Sequence, residues 1–209
     1  MSESPNVQLS NLHPYDRITF LRGRAIEAYS GIESSLSSLF QSILKTDALA
    51  AGTIFYRIVN SRSRNVIMEN LLKQRHGTEF KAFWSSISDK IRQLDQSRNE
   101  IAHWQHAALI NAKGSERGML FPNNIFAHNQ NTPSWTEQRL ASFCQECNFV
   151  GRLINMLCLF IDGQIGDEHP ERRTWTEIFH SPIEYPPPST HPLHQIVQEY
   201  TIQLRSSPA

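Results

Sequence analysis

The chain has 209 residues, 39% of them hydrophobic, and its 20 Lys and Arg side chains balance 20 Asp and Glu side chains. Such a balance excludes a strongly basic field over the whole molecule. No apolar run approaches the roughly 20 residues of a membrane span, the N-terminus lacks the apolar core of a signal peptide, and three cysteines do not form a disulfide framework. We therefore expect one helical domain, with no membrane contact, in the cytoplasm.

The first helix is predicted from about Asp16 to Lys45, after a polar and loose segment at residues 1–14. Its apolar residues recur at helical spacing. They are Ile18, Leu21, Ala25, Ile32, Leu36, Leu39 and Ile43. Gly31 weakens this helix by up to about 1 kcal/mol relative to Ala, which suggests a close helix contact at Gly31.

A second helical region is predicted from Leu49 to Arg75, with a break at Ser61–Ser63 and a stop at His76–Gly77. It carries a local basic cluster opposed only by Glu69. This cluster could hold the phosphate backbone of RNA, or it could be a solvated helix face. The candidate RNA-binding residues within it are Arg57, Arg62, Arg64 and Arg75, with Lys73 nearby.

A third helix starts near Glu79 and places an arginine on its apolar stripe. The stripe consists of Trp84, Ile87, Ile91, Leu94, Ile101 and Ala108. Continuing it through the seven-residue gap between Leu94 and Ile101 lands on Arg98. Arginine is rarely buried unless it is paired, so we expect a carboxylate, a neighbouring subunit or a bound phosphate beside it. Glu33 could be that carboxylate, although a solvated position is the simpler interpretation.

Short alternating stretches at Leu109–Ala112 and Gly118–Phe121 could pair as a small hairpin. The last long helix is predicted to begin at Ser134, with Glu137 completing a capping box, and to end near Gly163. From residue 163 to residue 209 the chain is rich in proline, which suggests an arm across the surface. Residues Leu193–Leu204 could form a short helix in this arm.

A zinc site could be drawn from the Cys144–Cys147 spacing together with His106. Cys144, Cys147 and Cys158 all lie in one apolar helix, however, where buried thiols are ordinary core residues. We therefore expect no metal. The predicted fold is all-α: an antiparallel bundle of four to five helices at residues 15–162, with a small hairpin or loop insertion and a proline-rich C-terminal arm.

Residues 98–103 read Arg98, Asn99, Glu100, Ile101, Ala102 and His103. An Arg, a polar residue and a His, with four residues between Arg and His, resemble the signature of the HEPN superfamily. The string Arg-Asn-x-x-Ala-His is similar to its commonest bacterial form. The order of helical regions resembles the family over about residues 15–162. The resemblance implies an all-α homodimer and a ribonuclease that uses neither metal nor cofactor, of the kind found among toxins and phage-defence effectors.

Metal-independent RNA cleavage suits these residue types. The RNA 2′-OH can attack the adjacent phosphorus if His103 transfers protons, Arg98 binds the phosphate and Asn99 orients the groups. Positions 98 and 103 are about 140° apart on an ideal helix. Convergence therefore requires a kink or helix start at the motif, or a two-fold axis that brings Arg98 of one subunit near His103 of the other.

The residue two positions after the motif His bears on a possible antitoxin partner. Many toxin members of the family carry a Tyr at this position, where a nucleotidyltransferase antitoxin attaches AMP, and this chain has Gln105 there. An antitoxin that simply covers the cleft is also conceivable.

The alternative function is a non-catalytic helical dimer that binds RNA, a nucleotide or a protein. A weaker one is assembly with other proteins through the arm.

Overall fold

The computed structural model describes residues 12–110, 116–123 and 134–195. These residues are mostly helical, which confirms the predicted all-α class. The elements are α1 (Pro14–Leu44), α2 (Ala48–Arg57), α3 (Ser61–His76), α4 (Lys81–His103), β1 (Gln105–Ile110), β2 (Glu116–Phe121), α5 (Glu137–Ile161) and α6 (Arg172–Phe179). None of the helices in the described ranges combines the length and hydropathy that a membrane-spanning segment needs.

The longest helix, α1, starts where its sequence caps it. Pro14 occupies its first turn, and the His13 ring accepts a hydrogen bond from the backbone N–H of Tyr15. The helix ends at Leu44, and its C-cap Lys45 has a positive φ of 54°. The predicted apolar stripe of this helix is buried throughout, which confirms the spacing argument for α1.

The long helix α5 packs along α1, and Gly151 of α5 lies opposite Gly31 and Ser35 of α1. An ideal Cβ on Gly151 would lie 3.5 Å from the Ser35 hydroxyl and 3.8 Å from the Gly31 carbonyl oxygen. A Cβ on Gly31 itself would meet nothing within 4 Å. The helices therefore meet at the level of Gly31, but a methyl group at Gly151 or at Gly31 would fit without a clash.

The start of α5 differs from the predicted capping box. Thr136 is the N-cap, and its hydroxyl accepts a hydrogen bond from the N–H of Arg139. The hydroxyl of Ser134 instead donates to the Met119 sulfur at 3.5 Å. The prediction was wrong by two residues because Thr136 is a competent cap closer to the first apolar turn.

The break in the second helical region lies slightly earlier than predicted. The chain leaves α2 at Ile58, and Asn60 caps α3 by accepting the N–H of Ser63. Ser61 is therefore the first residue of α3. The predicted stop is confirmed, because Gly77 ends α3 with a φ of 63°.

The hairpin follows α4 with only Trp104 between them. β1 and β2 pair antiparallel, with Gln105 opposite Phe121 and Ile110 opposite Glu116. The predicted hairpin exists, although β1 starts four residues earlier than expected and residues 111 and 112 lie outside the described ranges. Gly118 lies against the start of α1, where a Cβ would come within 2.6 Å of the Pro14 carbonyl oxygen.

The C-terminal segment supplies part of the core as well as a surface arm. Trp175 and Phe179 of α6 are buried, and the Phe179 ring packs edge-on against Phe83 and Phe160 at 5.1 Å. The predicted helix at Leu193–Leu204 falls almost entirely outside the described residues.

Candidate functional site at the end of α4

The segment Arg98–His103 forms the last turns of α4. The helix ends at His103, and Trp104 is extended and leads into β1. A helix start at the motif is therefore not the arrangement, and Ala108, which was predicted on the same helical stripe, belongs to β1. Because Asn99 and His103 are four residues apart in a helix, they share a face, and both are exposed.

Arg98 is half-buried in the seam between α4 and α1. Its guanidinium carbon lies 5.8 Å from the centroid of the Tyr29 ring, a cation–π distance. One Nη atom donates to Oδ1 of Asn99 at 2.9 Å. Tyr29 fills the seven-residue gap between Ala25 and Ile32 in the α1 stripe, and Arg98 fills the corresponding gap in the α4 stripe. These two residues contact each other.

A hydrogen-bond network fixes Tyr29 from its other end. Its hydroxyl donates to Oδ1 of Asp95 at 3.0 Å, and the Ser61 hydroxyl donates to Oδ2 at 2.8 Å. Burial and the neighbouring Asp95 carboxylate raise the pKa of Tyr29 far above its usual value, so the phenol stays protonated. This network joins α1, α3 and α4 one turn before Arg98.

Two long-range contacts hold the motif turn itself. The Arg22 guanidinium of α1 donates to the backbone carbonyl of Ala102, which is one of the carbonyls that a helix end leaves unpaired. The indole N–H of Trp135 donates to the Glu100 carboxylate at 3.0 Å. The last turn of α4 is thus tied both to α1 and to the chain that enters α5.

The two histidines of this region differ in their surroundings. His106 of β1 stacks on Tyr15 with ring centroids 3.8 Å apart, and burial, followed by the nearby Arg22 charge, lowers its pKa. Its contacts are structural. His103 is exposed, and within the described part of the chain it has no hydrogen-bond or ion-pair partner. Only His103 is therefore available to an external molecule.

Glu33 is not placed against Arg98. Its carboxylate pairs with Arg64 at 2.7 Å, and the Arg64 guanidinium carbon also lies 5.2 Å from the Phe55 ring centroid. Both side chains of this pair are largely buried. Arg64 therefore joins α1 to α3, and the Glu33 carboxylate is engaged by Arg64 and not by Arg98.

The remaining basic candidates do not form one patch. Arg57 and Arg62 are exposed on either side of the junction between α2 and α3. Arg75 is thirteen residues after Arg62 in the same helix, which puts it roughly 20 Å away. The junction end is the one that contacts α4 near Arg98, through the hydrogen bond between Ser61 and Asp95.

The zinc alternative finds no support in the placement of the thiols. All three cysteines are buried in α5, and burial raises the pKa of Cys144 to about 11 and that of Cys158 to about 12, which disfavours the thiolates that zinc binds. In the described ranges no three His, Cys, Asp or Glu side chains converge as a metal site.

Sequence reasoning missed four residues that position the motif: Arg22, Tyr29, Asp95 and Trp135. Tyr29 was detectable, because its position is the gap in the α1 stripe, just as Arg98 was found in the gap of α4. Arg22 and Trp135 contact the motif turn from 80 and 35 residues away, and no local pattern signals such a pairing.

Comparison of the chain with protein-family models, with curated proteins and with solved structures gave no match.

Proposed function

We propose that this chain is a metal-independent endoribonuclease of the HEPN type that acts as a homodimer. The observation that supports the proposal is the state of the motif residues. Asn99 and His103 are exposed on one face at the end of α4, and Arg98 lies beside them, held by Tyr29 and Asn99. A phosphate-binding fork and an unengaged imidazole are the two groups that this chemistry needs.

In the proposed reaction the RNA 2′-oxygen attacks the adjacent phosphorus, and the bond between phosphorus and the 5′-oxygen breaks. His103 takes the proton from the 2′-OH, and the His103 of a second copy returns a proton to the leaving 5′-oxygen. Arg98 stabilises the charge on the phosphate oxygens. The products are a 2′,3′-cyclic phosphate and a 5′-hydroxyl. One proton leaves the 2′-OH and one proton reaches the 5′-oxygen, so the step is balanced.

The Arg98 guanidinium has donors to spare for this role. It carries five N–H groups, and the hydrogen bond to Asn99 uses one of them. Asn99 thereby orients the guanidinium, and the Tyr29 ring packs against it. Arg57 and Arg62, at the junction that contacts α4, would extend the path of the RNA backbone by further phosphate contacts.

The test is to incubate the purified chain with transfer RNA and with total RNA in the presence of EDTA. We expect cleavage to fragments that end in a 2′,3′-cyclic phosphate, and loss of cleavage in His103→Ala. The matched control is His180→Ala. His180 is also exposed, but it contacts Glu79 and Phe80 at the other end of α4, roughly 35 Å away. No cleavage by the wild type, or equal cleavage by His103→Ala, would overturn the proposal.

A second candidate is a non-catalytic dimer that binds RNA, a nucleotide or a protein at the same face. The neutral overall charge favours it, because a general RNA-binding surface is usually basic. The same incubation with RNA distinguishes the two functions. A binding module leaves the RNA uncut, and the wild type and His103→Ala then give the same intact RNA.

A role as a toxin or defence effector would follow from the nuclease. We expect expression of the wild type to arrest growth of a bacterial host, and His103→Ala to relieve the arrest. The chain presents exposed Gln105 at the position where related toxins carry the modified tyrosine. A protein antitoxin would therefore act by covering the α4 end and not by attaching AMP at that position.

A further inference from the structure

An exposed aromatic stack lies beside the end of α4. The Tyr15 ring of α1 stacks on the His106 ring of β1, with centroids 3.8 Å apart and planes 15° apart. His106 covers one face of the Tyr15 ring, and Tyr15 remains 51% exposed, which leaves the opposite face open to solvent. We infer that this open face holds an unpaired base of the RNA, so that the substrate is single-stranded or looped near the cleaved phosphate. The inference rests on the proposed ribonuclease function.

The stack belongs to a row of contacts between α1 and the motif segment. Tyr15, Arg22 and Tyr29 recur every seven residues and therefore lie along one face of α1. Their partners are, in the same order, His106, Ala102 and Arg98. Tyr29 is buried, Arg22 is half-buried and Tyr15 is exposed, so the row emerges into solvent at the stack. It spans about 21 Å along the helix, a distance that a few nucleotides cover.

The Tyr15 ring is held in place before any RNA binds. The backbone N–H of Tyr15 donates to Nδ1 of His13 at 3.3 Å, and its carbonyl accepts the Thr19 hydroxyl at 2.9 Å. The same hydroxyl lies 3.5 Å from Nδ1 of His106. A ring that is already fixed loses little conformational freedom when a base stacks on it. The stack is thus prepared to bind a flat partner.

The chemistry of the stack favours a base over a phosphate. Burial, followed by the charge of Arg22, lowers the pKa of His106, so the ring beneath Tyr15 is uncharged at neutral pH. Proteins that bind single-stranded nucleic acid hold phosphates with cationic side chains and stack bases on aromatic rings. Here Arg98 is the cation and Tyr15 is the ring. The bases of a duplex already stack on each other and are paired, so the ring selects unpaired RNA.

The first experiment measures RNA binding to His103→Ala, which is expected to leave the RNA uncut. The probe is a single-stranded RNA of about twelve nucleotides, with one 2-aminopurine in the middle of a uridine tract. Stacking on an aromatic ring quenches the fluorescence of 2-aminopurine. We expect quenching that Tyr15→Phe retains and Tyr15→Leu loses, together with a dissociation constant that Tyr15→Leu raises by about fivefold or more. A duplex with the same strand should bind more weakly.

Phe20→Leu, also made in His103→Ala, is the matched control. Phe20 is an aromatic residue of the same helix, 42% exposed, and it lies about 140° from Tyr15 around the axis of α1. Its substitution should leave the quenching and the dissociation constant unchanged. Urea unfolding checks that Tyr15→Leu keeps its fold, and Tyr15→Trp gives an independent measure, because its larger ring should quench at least as strongly as tyrosine. Equal dissociation constants for Tyr15→Leu and Phe20→Leu would overturn the inference.

Cleavage by chains that keep His103 separates the base site from the nuclease. Tyr15→Leu should raise KM several-fold at nearly unchanged kcat, because a base held away from the scissile bond binds equally in the ground state and the transition state. If the wild type binds RNA through Tyr15 without cutting it, the base site stands and the nuclease fails. If the wild type cuts RNA and Tyr15→Leu has the same KM, the nuclease stands and Tyr15 only packs the hairpin against α1. No binding of the probe would contradict both.

Discussion

At the scale of single residues, Arg98 lies in the seam between α4 and α1, and most of its guanidinium N–H groups remain available to a ligand. One side of its guanidinium faces the Tyr29 ring, and one nitrogen is engaged by Asn99. Tyr29 is fixed in turn by Asp95, which also accepts the Ser61 hydroxyl. The arginine is therefore oriented by side chains from its own helix and from α1 before any ligand binds, which is the condition for efficient electrostatic catalysis.

We expect Arg98→Lys to separate the charge of this residue from its shape. A lysine ammonium can still lie over Tyr29, but it cannot give two parallel hydrogen bonds to a phosphate. RNA cleavage should fall by about 100-fold, while the free energy of unfolding should change by no more than about 0.5 kcal/mol. Cleavage kinetics and urea unfolding measure the two effects. Full activity in Arg98→Lys would show that the fork is not used.

Partly buried histidines make stability depend on pH. Burial lowers the pKa of His76, His106 and His191 below the usual 6.5. The unfolded chain therefore binds protons that the folded chain refuses, and the free energy of unfolding decreases as the pH falls below 6.5. Their stabilisation is fully present above that pH and is lost toward the lower, folded-state pKa values.

We expect the urea midpoint to be lower at pH 5.5 than at pH 7.5, and His106→Gln to reduce that difference. Asp162, whose pKa is lowered by Lys45 and Ser42 against the opposing effect of burial, affects stability only at still lower pH. A midpoint that rises between pH 7.5 and pH 5.5 would contradict the assignment.

At the scale of elements, the helices were predictable because their apolar residues recur every three or four positions. Both ends of α1 and the start of α4 were placed within about two residues, and the end of α3 was fixed by Gly77. The end of α4 was predicted too late, because Ala108, which was assigned to its stripe, lies in β1. The start of α5 was misplaced because Ser134 and Thr136 are both acceptable caps, and only tertiary packing decides between them. The ties from Arg22 and Trp135 could not be predicted, since they join distant parts of the chain.

The contact between β2 and α1 predicts how a methyl group at Gly118 changes the free energy of unfolding. In Gly118→Ala the new methyl group would meet the Pro14 carbonyl, which is backbone and cannot rotate away. We expect a loss of about 1–3 kcal/mol in the free energy of unfolding.

Gly23→Ala is the matched control, because Gly23 lies inside α1 and a Cβ there meets nothing within 4 Å. It should stabilise the chain by about 0.5–1 kcal/mol. Chemical unfolding of both variants gives the comparison. A stable Gly118→Ala protein would show that the hairpin can shift away from α1.

At the scale of the whole molecule, the motif lies at the C-terminal end of α4. The Arg98 guanidinium rests on Tyr29 in the seam, whereas Asn99 and His103 face outward. This difference in direction is the reason that we propose a nuclease site shared between two copies of the chain.

Subunit mixing tests that placement. Co-expressed wild-type and His103→Ala chains form mixed dimers whose shared groove holds one histidine, whereas the proposed reaction needs one as base and one as acid. With equal amounts and random pairing, a quarter of the dimers keep both histidines, so we expect about a quarter of the wild-type cleavage rate. The mass of the assembly, from sedimentation, should equal two chains. A rate of about one half would show that each chain cleaves RNA by itself and would contradict the shared groove.

The hydrogen bond from Trp135 to Glu100 gives the molecule an internal reporter. The indole lies beneath the Arg139 guanidinium, 3.8 Å from ring to cation, so its fluorescence depends on whether the end of α4 stays wound. Since the chain has four tryptophans, the contribution of Trp135 is the part of the emission that Trp135→Phe removes. Fraying of the end of α4 would shift that part to longer wavelength before the far-ultraviolet dichroism of the bundle changes, which distinguishes local opening from global unfolding.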